Sequence, residues 1–78
     1  MVQRSRVDIA EEILKIAVNG ASKTQIIYAA KVNFNIVNRY LELLEDRQLI
    51  RLEKGIFVTT TNGNIFREIA EQLRFEFL

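Results

Sequence analysis

Between Glu12 and Glu42 the chain carries no acidic residue, and inside that stretch two helix-start signals follow one another closely. Ser22-Lys23-Thr24-Gln25 is a capping box. The Ser hydroxyl can accept the backbone N–H three residues on, and the Gln side chain can accept the Ser N–H in return. Asn33, after Lys31 and Val32, is a second N-cap. The helix begun at Ser22 must therefore end near Ala30 or Lys31, after about two turns. Helices this short do not hold alone, so both must bury an apolar face against the rest of the chain. Ile26, Ile27 and Ala30 supply that face in the first, and Val37, Leu41 and Leu44 (i, i+4, i+7) in the second. Phe34, Tyr40 and Leu43 widen the second face, and Asn35, Asn38, Arg39 and Glu42 fall on the outward side.

The flanks supply the remaining elements. Ser5 with Asp8 resembles a capping box with Asp in place of Glu, and Val7, Ile9, Ile13, Leu14, Ile16, Ala17 and Val18 give a broad apolar stripe. Asn19-Gly20 stops that helix. The helix begun at Asn33 gives way near Asp46-Arg47-Gln48. A left-handed residue there costs on the order of 1 kcal/mol without Gly, so Gln48 is a local conflict. Leu49 to Glu53 and Ile56 to Thr60 flank Lys54-Gly55, a two-residue hairpin signal. Pairing Glu53 with Ile56 sets Leu52 opposite Phe57 and Ile50 opposite Thr59 on one face. Thr60-Thr61-Asn62-Gly63 reads either as a turn or as a helix start. Phe66, Ile69, Ala70, Leu73 and Phe77 at helical spacing decide for a helix, with Thr60 or Thr61 as its cap. The order helix, helix, helix, hairpin, helix predicts a mainly α fold with a small β-hairpin: a winged helix-turn-helix with a three-helix core, a wing and a C-terminal helix.

Composition narrows the function. A chain of 78 residues predicts one domain, residues 1–78, with 60–78 as a C-terminal helix available for dimerisation. His and Cys are both absent, which removes the commonest neutral-pH acid/base, the thiol nucleophile and the thiolate metal site. Glu11-Glu12 and Glu45-Asp46 are sequence neighbours, which point about 100° apart on a helix and read as solvated faces. The three glycines are isolated, so no phosphate-cradling loop is formed. The expectation is no enzyme, no catalytic residue, no metal and no cofactor. No apolar run is long enough to span a membrane, and Met1 to Arg6 lacks the apolar core of a secretory signal. A cytoplasmic, nucleoid-associated protein follows. Net charge is +1, divided as +3 over residues 1–41 and −2 over 42–78. The first half is thus the one that faces an anion.

For double-stranded DNA the donor chemistry is in place. Asn can pair with adenine and Arg with guanine in the major groove. Asn35, Asn38 and Arg39 occupy the first turns of the helix that enters the groove in this motif. Ser22, Lys23 and Thr24 open the preceding helix, where free N–H groups favour a phosphate. Lys31 adds charge, and Arg51 and Lys54 lie on the wing. Asn33 reads first as a cap, and Tyr28 and Tyr40 as packed rings with their hydroxyls at the edge. In the last helix Phe66, Ile69, Leu73 and Phe77 make one stripe, while Phe75 and Leu78 lie off it. That is more apolar surface than one face buries, so these six residues predict a homodimer interface. The alternative is a C-terminus folded back over its own domain.

Ile13-Leu14, Gly20 to Tyr28, Val32-Asn33-Phe34, Tyr40 to Glu45, Leu49-Ile50 and Phe57 to Gly63 together resemble the archaeal winged helix-turn-helix DNA-binding proteins. That family includes the ten-kilodalton archaeal chromatin-associated proteins. The most specific part is Gly-Ala-x-Lys-Thr-x-Ile-x-Tyr, Gly20 to Tyr28. The resemblance implies Phe34 to Glu45 as recognition helix, Leu49 to Thr60 as wing, and homodimerisation through the C-terminal helix. Gln48 stands where the family usually has Gly before Leu-Ile, and the chain is less basic than a bulk DNA packager. Both departures point to a transcriptional regulator. The alternatives are a non-specific chromatin-associated protein and a winged helix used only for protein contacts.

Overall fold

Local capping chemistry starts each helix of the computed structural model, which describes residues 5–76. Helix α1 spans Arg6–Ile16, α2 Lys23–Ala30, α3 Phe34–Asp46 and α4 Thr61–Glu76; strands β1 (Ile50–Glu53) and β2 (Ile56–Thr59) lie between α3 and α4. Ser5 Oγ accepts from Asp8 N–H, and Asp8 Oδ2 accepts from Ser5 N–H, each at 3.1 Å. Ser22 and Gln25 make the same exchange at 2.8 and 3.2 Å. Asn33 Oδ1 accepts from Ile36 N–H at 2.9 Å, and Thr60 Oγ1 accepts from Gly63 N–H at 3.0 Å, so Thr60 is the cap of α4. Lys31 closes α2 in the left-handed region at φ 56°, and Gln48 takes φ 60° after α3.

The three core helices meet over Ile13, Leu14 and Ala17 of the first helical segment, Ile26 of α2 and Val37, Leu41 and Leu44 of α3. Ile50 and Phe57 close that core from the hairpin. The register is the expected one: Ile50↔Thr59, Leu52↔Phe57 and Glu53↔Ile56. Lys54 and Gly55 turn it with φ of 49° and 81°. The pair Leu52 and Phe57 shares a face but not an environment. Phe57 is buried whereas Leu52 is 47% exposed, because the tip of the hairpin overhangs the core.

A contact that the sequence pattern did not show ties the hairpin to the helices. Ala21, between α1 and α2, forms an antiparallel bridge with Phe57. Ala21 N–H donates to Phe57 O at 2.9 Å and Phe57 N–H donates to Ala21 O at 2.8 Å. Two residues on, Thr59 N–H donates to Ala17 O at 3.0 Å, and the buried Thr59 hydroxyl donates to Leu14 O at 2.6 Å. Carbonyls at a helix C-terminus lack intrahelical donors, and β2 supplies them here.

Helix α4 folds back on α1. Arg74 pairs with Glu11 and lies 3.6 Å from Asp8, and Ala70 is buried. Its first turn runs hard against the end of the wing. A Cβ on Gly63 would overlap the Leu49 carbonyl oxygen and stand 2.7 Å from Thr59 Cγ2. Glycine is required there for close approach, not for a turn.

Two stability measurements check this arrangement. Gly63→Ala is expected to cost about 3 kcal/mol in denaturant unfolding, the upper end for overpacking, because the obstructing atom is backbone; wild-type stability would show that α4 does not dock as described. Thr59→Val is expected to cost about 1–3 kcal/mol, since it removes the donor from a buried carbonyl. An unchanged midpoint would show that the Leu14 carbonyl has another partner.

Candidate nucleic-acid interface

Burial of Val37, Leu41 and Leu44 dictates which side of α3 faces out. Asn35 and Arg39 are fully on that side and exposed; Asn38 sits at its edge and is half-buried. Glu42, Glu45 and Asp46 are also exposed and fill the last turns of the same helix. The outward surface of α3 is therefore divided: amide and guanidinium groups in its first half, carboxylates in its second. Only the first half is compatible with a polyanion.

The start of α2 lies beside the start of α3. The Lys23 ammonium stands 5.7 Å from the centroid of the Phe34 ring, within cation–π range. The Ser22 cap engages the Gln25 N–H, which leaves the first-turn N–H groups of Lys23 and Thr24 without intrahelical acceptors. Thr24 is exposed, Ser22 and Lys23 are half-buried, and Lys31 is exposed at the other end of α2. On the hairpin, Lys54 is exposed at the tip. Arg51 is exposed but its Nε lies 3.0 Å from Glu53 Oε1. Wing charge available to an anion is therefore concentrated at Lys54.

Several placements differ from the sequence expectation. Phe34 and Leu43 do not widen the core face. Phe34 is 55% exposed, overhanging the end of the helix, and Leu43 is exposed as well. Tyr28 is 79% exposed rather than packed; Ile26 and Ala30 take the buried side of α2 and position 28 falls opposite them. An exposed tyrosine and phenylalanine thus join the polar groups on the α2–α3 surface. Their exposure was readable from the two-residue offset of Tyr28 from Ile26, and from the place of Phe34 at the first helical position.

In α4, Phe66 turns inward and packs against the core. Ile69, Leu73 and Phe75 are exposed, Phe75 at 86%. Ile65, which the sequence reading passed over, is exposed four residues before Ile69 and completes an i, i+4, i+8 row with Leu73. Phe77 and Leu78 lie outside the described residues. Among the described residues no group of three or more His, Cys, Asp or Glu could hold a metal ion, and no helix is long and apolar enough to cross a membrane.

Comparison with known proteins agrees with this geometry. Over 73 residues the chain is 33% identical to an uncharacterised protein of Methanocaldococcus jannaschii, which covers 92% of this chain. It spans 35%, about a third, of that relative's length. The crystal structure of Sso10a-2, a DNA-binding protein from Sulfolobus solfataricus, superposes with a TM-score of 0.81 at 26% identity, covering 90% of this chain and 78% of that one. The winged helix-turn-helix family pattern matches residues 3–76. With four capped helices, a two-stranded wing and a family match over nearly its whole length, the chain belongs to the winged helix-turn-helix family.

Proposed function

We propose that this protein binds double-stranded DNA as a homodimer and acts as a site-specific transcriptional regulator. The observation that carries the reading is the exposed first half of α3, where Asn35 and Arg39 project from a helix whose opposite side is fully buried. Both side chains have the donor patterns that read adenine and guanine edges. Lys23, Thr24 and the backbone at the start of α2 hold one phosphate run, and Lys54 at the hairpin tip reaches a second; these contacts fix the register while α3 reads sequence. Asn38, at the edge of the face, and Lys31 serve the backbone, and Arg51 contributes once it leaves Glu53. That Sso10a-2 is a DNA-binding protein of the same fold supports the assignment.

The carboxylates at the end of α3 support a regulator over a bulk packager. Glu42, Glu45 and Asp46 repel a duplex laid along the whole helix, so only its N-terminal half can enter a groove. The second apolar row of α4 supports the reading as a dimer. Ile65, Ile69 and Leu73 are exposed at one-turn intervals, the spacing that packs one helix against another. Phe75 adds exposed apolar surface beyond that row, while Phe66 packs against the core. A two-fold dimer then presents two copies of α3 to two half-sites.

A titration of duplex DNA at rising salt tests the first claim. Affinity should fall steeply because the release of phosphate counterions gains less as salt rises, and Arg39→Ala should cost about 1–3 kcal/mol at a selected site with an unchanged melting temperature. Failure to bind any duplex at low salt would refute the assignment. Sedimentation tests the second. Ile69→Glu places a charge in the apolar row and should convert a dimer to a folded monomer with weaker DNA binding; a variant as dimeric as the wild type would remove α4 from the interface.

A further inference from the structure

Away from the outward tip of α3, the N-terminal part of α1 and the flank of α3 enclose a cleft of about 570 Å³. Its size is within the usual range of small-molecule sites. Val7, Tyr40, Leu43 and Phe66 are among the apolar residues that line it, and Val7 and Leu43 are exposed. Arg6, Arg39 and Arg47 also line it, and among the described residues no carboxylate does. Among the described residues none of these three guanidiniums makes an ion pair. Two other arginines do pair: Arg51 with Glu53, and Arg74 with Glu11 and Asp8.

The cleft combines two unfavourable features. Apolar walls face water, and three like charges line it without a carboxylate among the described lining residues. A neutral apolar ligand relieves the first alone. Inorganic phosphate relieves the second alone. A cationic peptide worsens the second. Only a molecule with an apolar body and an anionic head relieves both. Arginine offers the planar fork that pairs with a carboxylate through two parallel hydrogen bonds.

We propose that this cleft binds a small amphipathic carboxylate, its apolar body between Val7, Leu43 and Phe66 and its head among Arg6, Arg39 and Arg47. The site has a consequence for DNA, which rests on the assignment of Arg39 given above. Arg39 belongs both to the outward face of α3 and to the cleft. A carboxylate that holds its guanidinium draws it from the groove and places a negative charge beside the duplex. Ligand and DNA then oppose one another, each weakening the other by the same factor.

Decanoate, used below its micelle concentration, is the probe, with decanol and decylammonium as neutral and cationic controls of the same length. Amide-shift mapping of the DNA-free protein reads binding without reference to DNA. Saturable shifts centred on Val7, Leu43 and Phe66 are expected with decanoate and not with either control. The double variant Arg6→Ala/Arg47→Ala should keep its melting temperature and bind decanoate roughly tenfold or more weakly, the loss of charge-assisted hydrogen bonds. Equal binding of decanol or decylammonium, absence of saturable shifts, or wild-type affinity in the double variant would overturn the site. So would shifts that follow protein concentration instead of probe, which would assign the cleft to a second copy of the chain. A separate arm measures DNA affinity with and without decanoate: a several-fold loss in the wild type, absent in the double variant, supports the opposition. DNA affinity untouched by saturating decanoate refutes the opposition while leaving the site standing, and a protein that binds decanoate but no DNA refutes the reading of Arg39 alone.

Discussion

The reciprocal hydrogen bonds between Ala21 and Phe57 hold the two halves of the molecule in register. They fasten β2 to the segment between α1 and α2, and the Thr59 amide and hydroxyl extend the attachment to Ala17 and Leu14. The attachment is economical: helix-end carbonyls that would otherwise be buried without donors become acceptors for a strand. In a chain that can bury only a small core, a few such bonds, each worth about 1 kcal/mol net, are a large part of what orients the wing. Once β2 is fixed, Ile50 and Phe57 seal the underside of α3, and Asn35 and Arg39 have nowhere to point but outward.

What could be read from the sequence was what depends on near neighbours. The caps at Ser5, Ser22 and Asn33 each involve a residue three positions away and are present, and of the two threonines offered for the last helix Thr60 is the cap. The hairpin register was readable because Lys54-Gly55 fixes a two-residue turn. The left-handed cost at Gln48 is real, since its φ is 60°. The pairing of Arg51 with Glu53 was also accessible, because residues two apart on a strand share a face. What could not be read was contact at long range. Ala21 has no strand signature, so its bridge to Phe57 left no local trace. The helix over Asn62-Gly63 was readable, but not the reason for its glycine: the Leu49 carbonyl, fourteen positions earlier, leaves no room for a Cβ at Gly63. The cleft lined by Arg6, Arg39 and Arg47 brings together residues from distant helices, and nothing in their spacing announced it.

Helix α3 assigns different tasks to its different sides. Val37, Leu41 and Leu44 anchor it, Asn35 and Arg39 stand exposed on the opposite side, and Tyr40, Leu43 and Arg47 line a cleft. Its acidic C-terminal turns limit how much of it a duplex can approach. Arg39 stands where the outward face of this 13-residue helix meets the cleft, so the proposed groove contact and the proposed ligand site would share one side chain. Exposed Phe34 adds apolar surface beside Lys23 at the start of α3, the kind of group that packs against thymine methyls.

The most direct measurement of the central claim is amide-shift mapping during titration with a short DNA duplex. The account predicts perturbations clustered at Lys23, Thr24, Asn35, Asn38, Arg39 and Lys54, with α1 and the last turns of α3 unmoved. Perturbations confined to α1 and α4, or spread evenly over the surface, would contradict it.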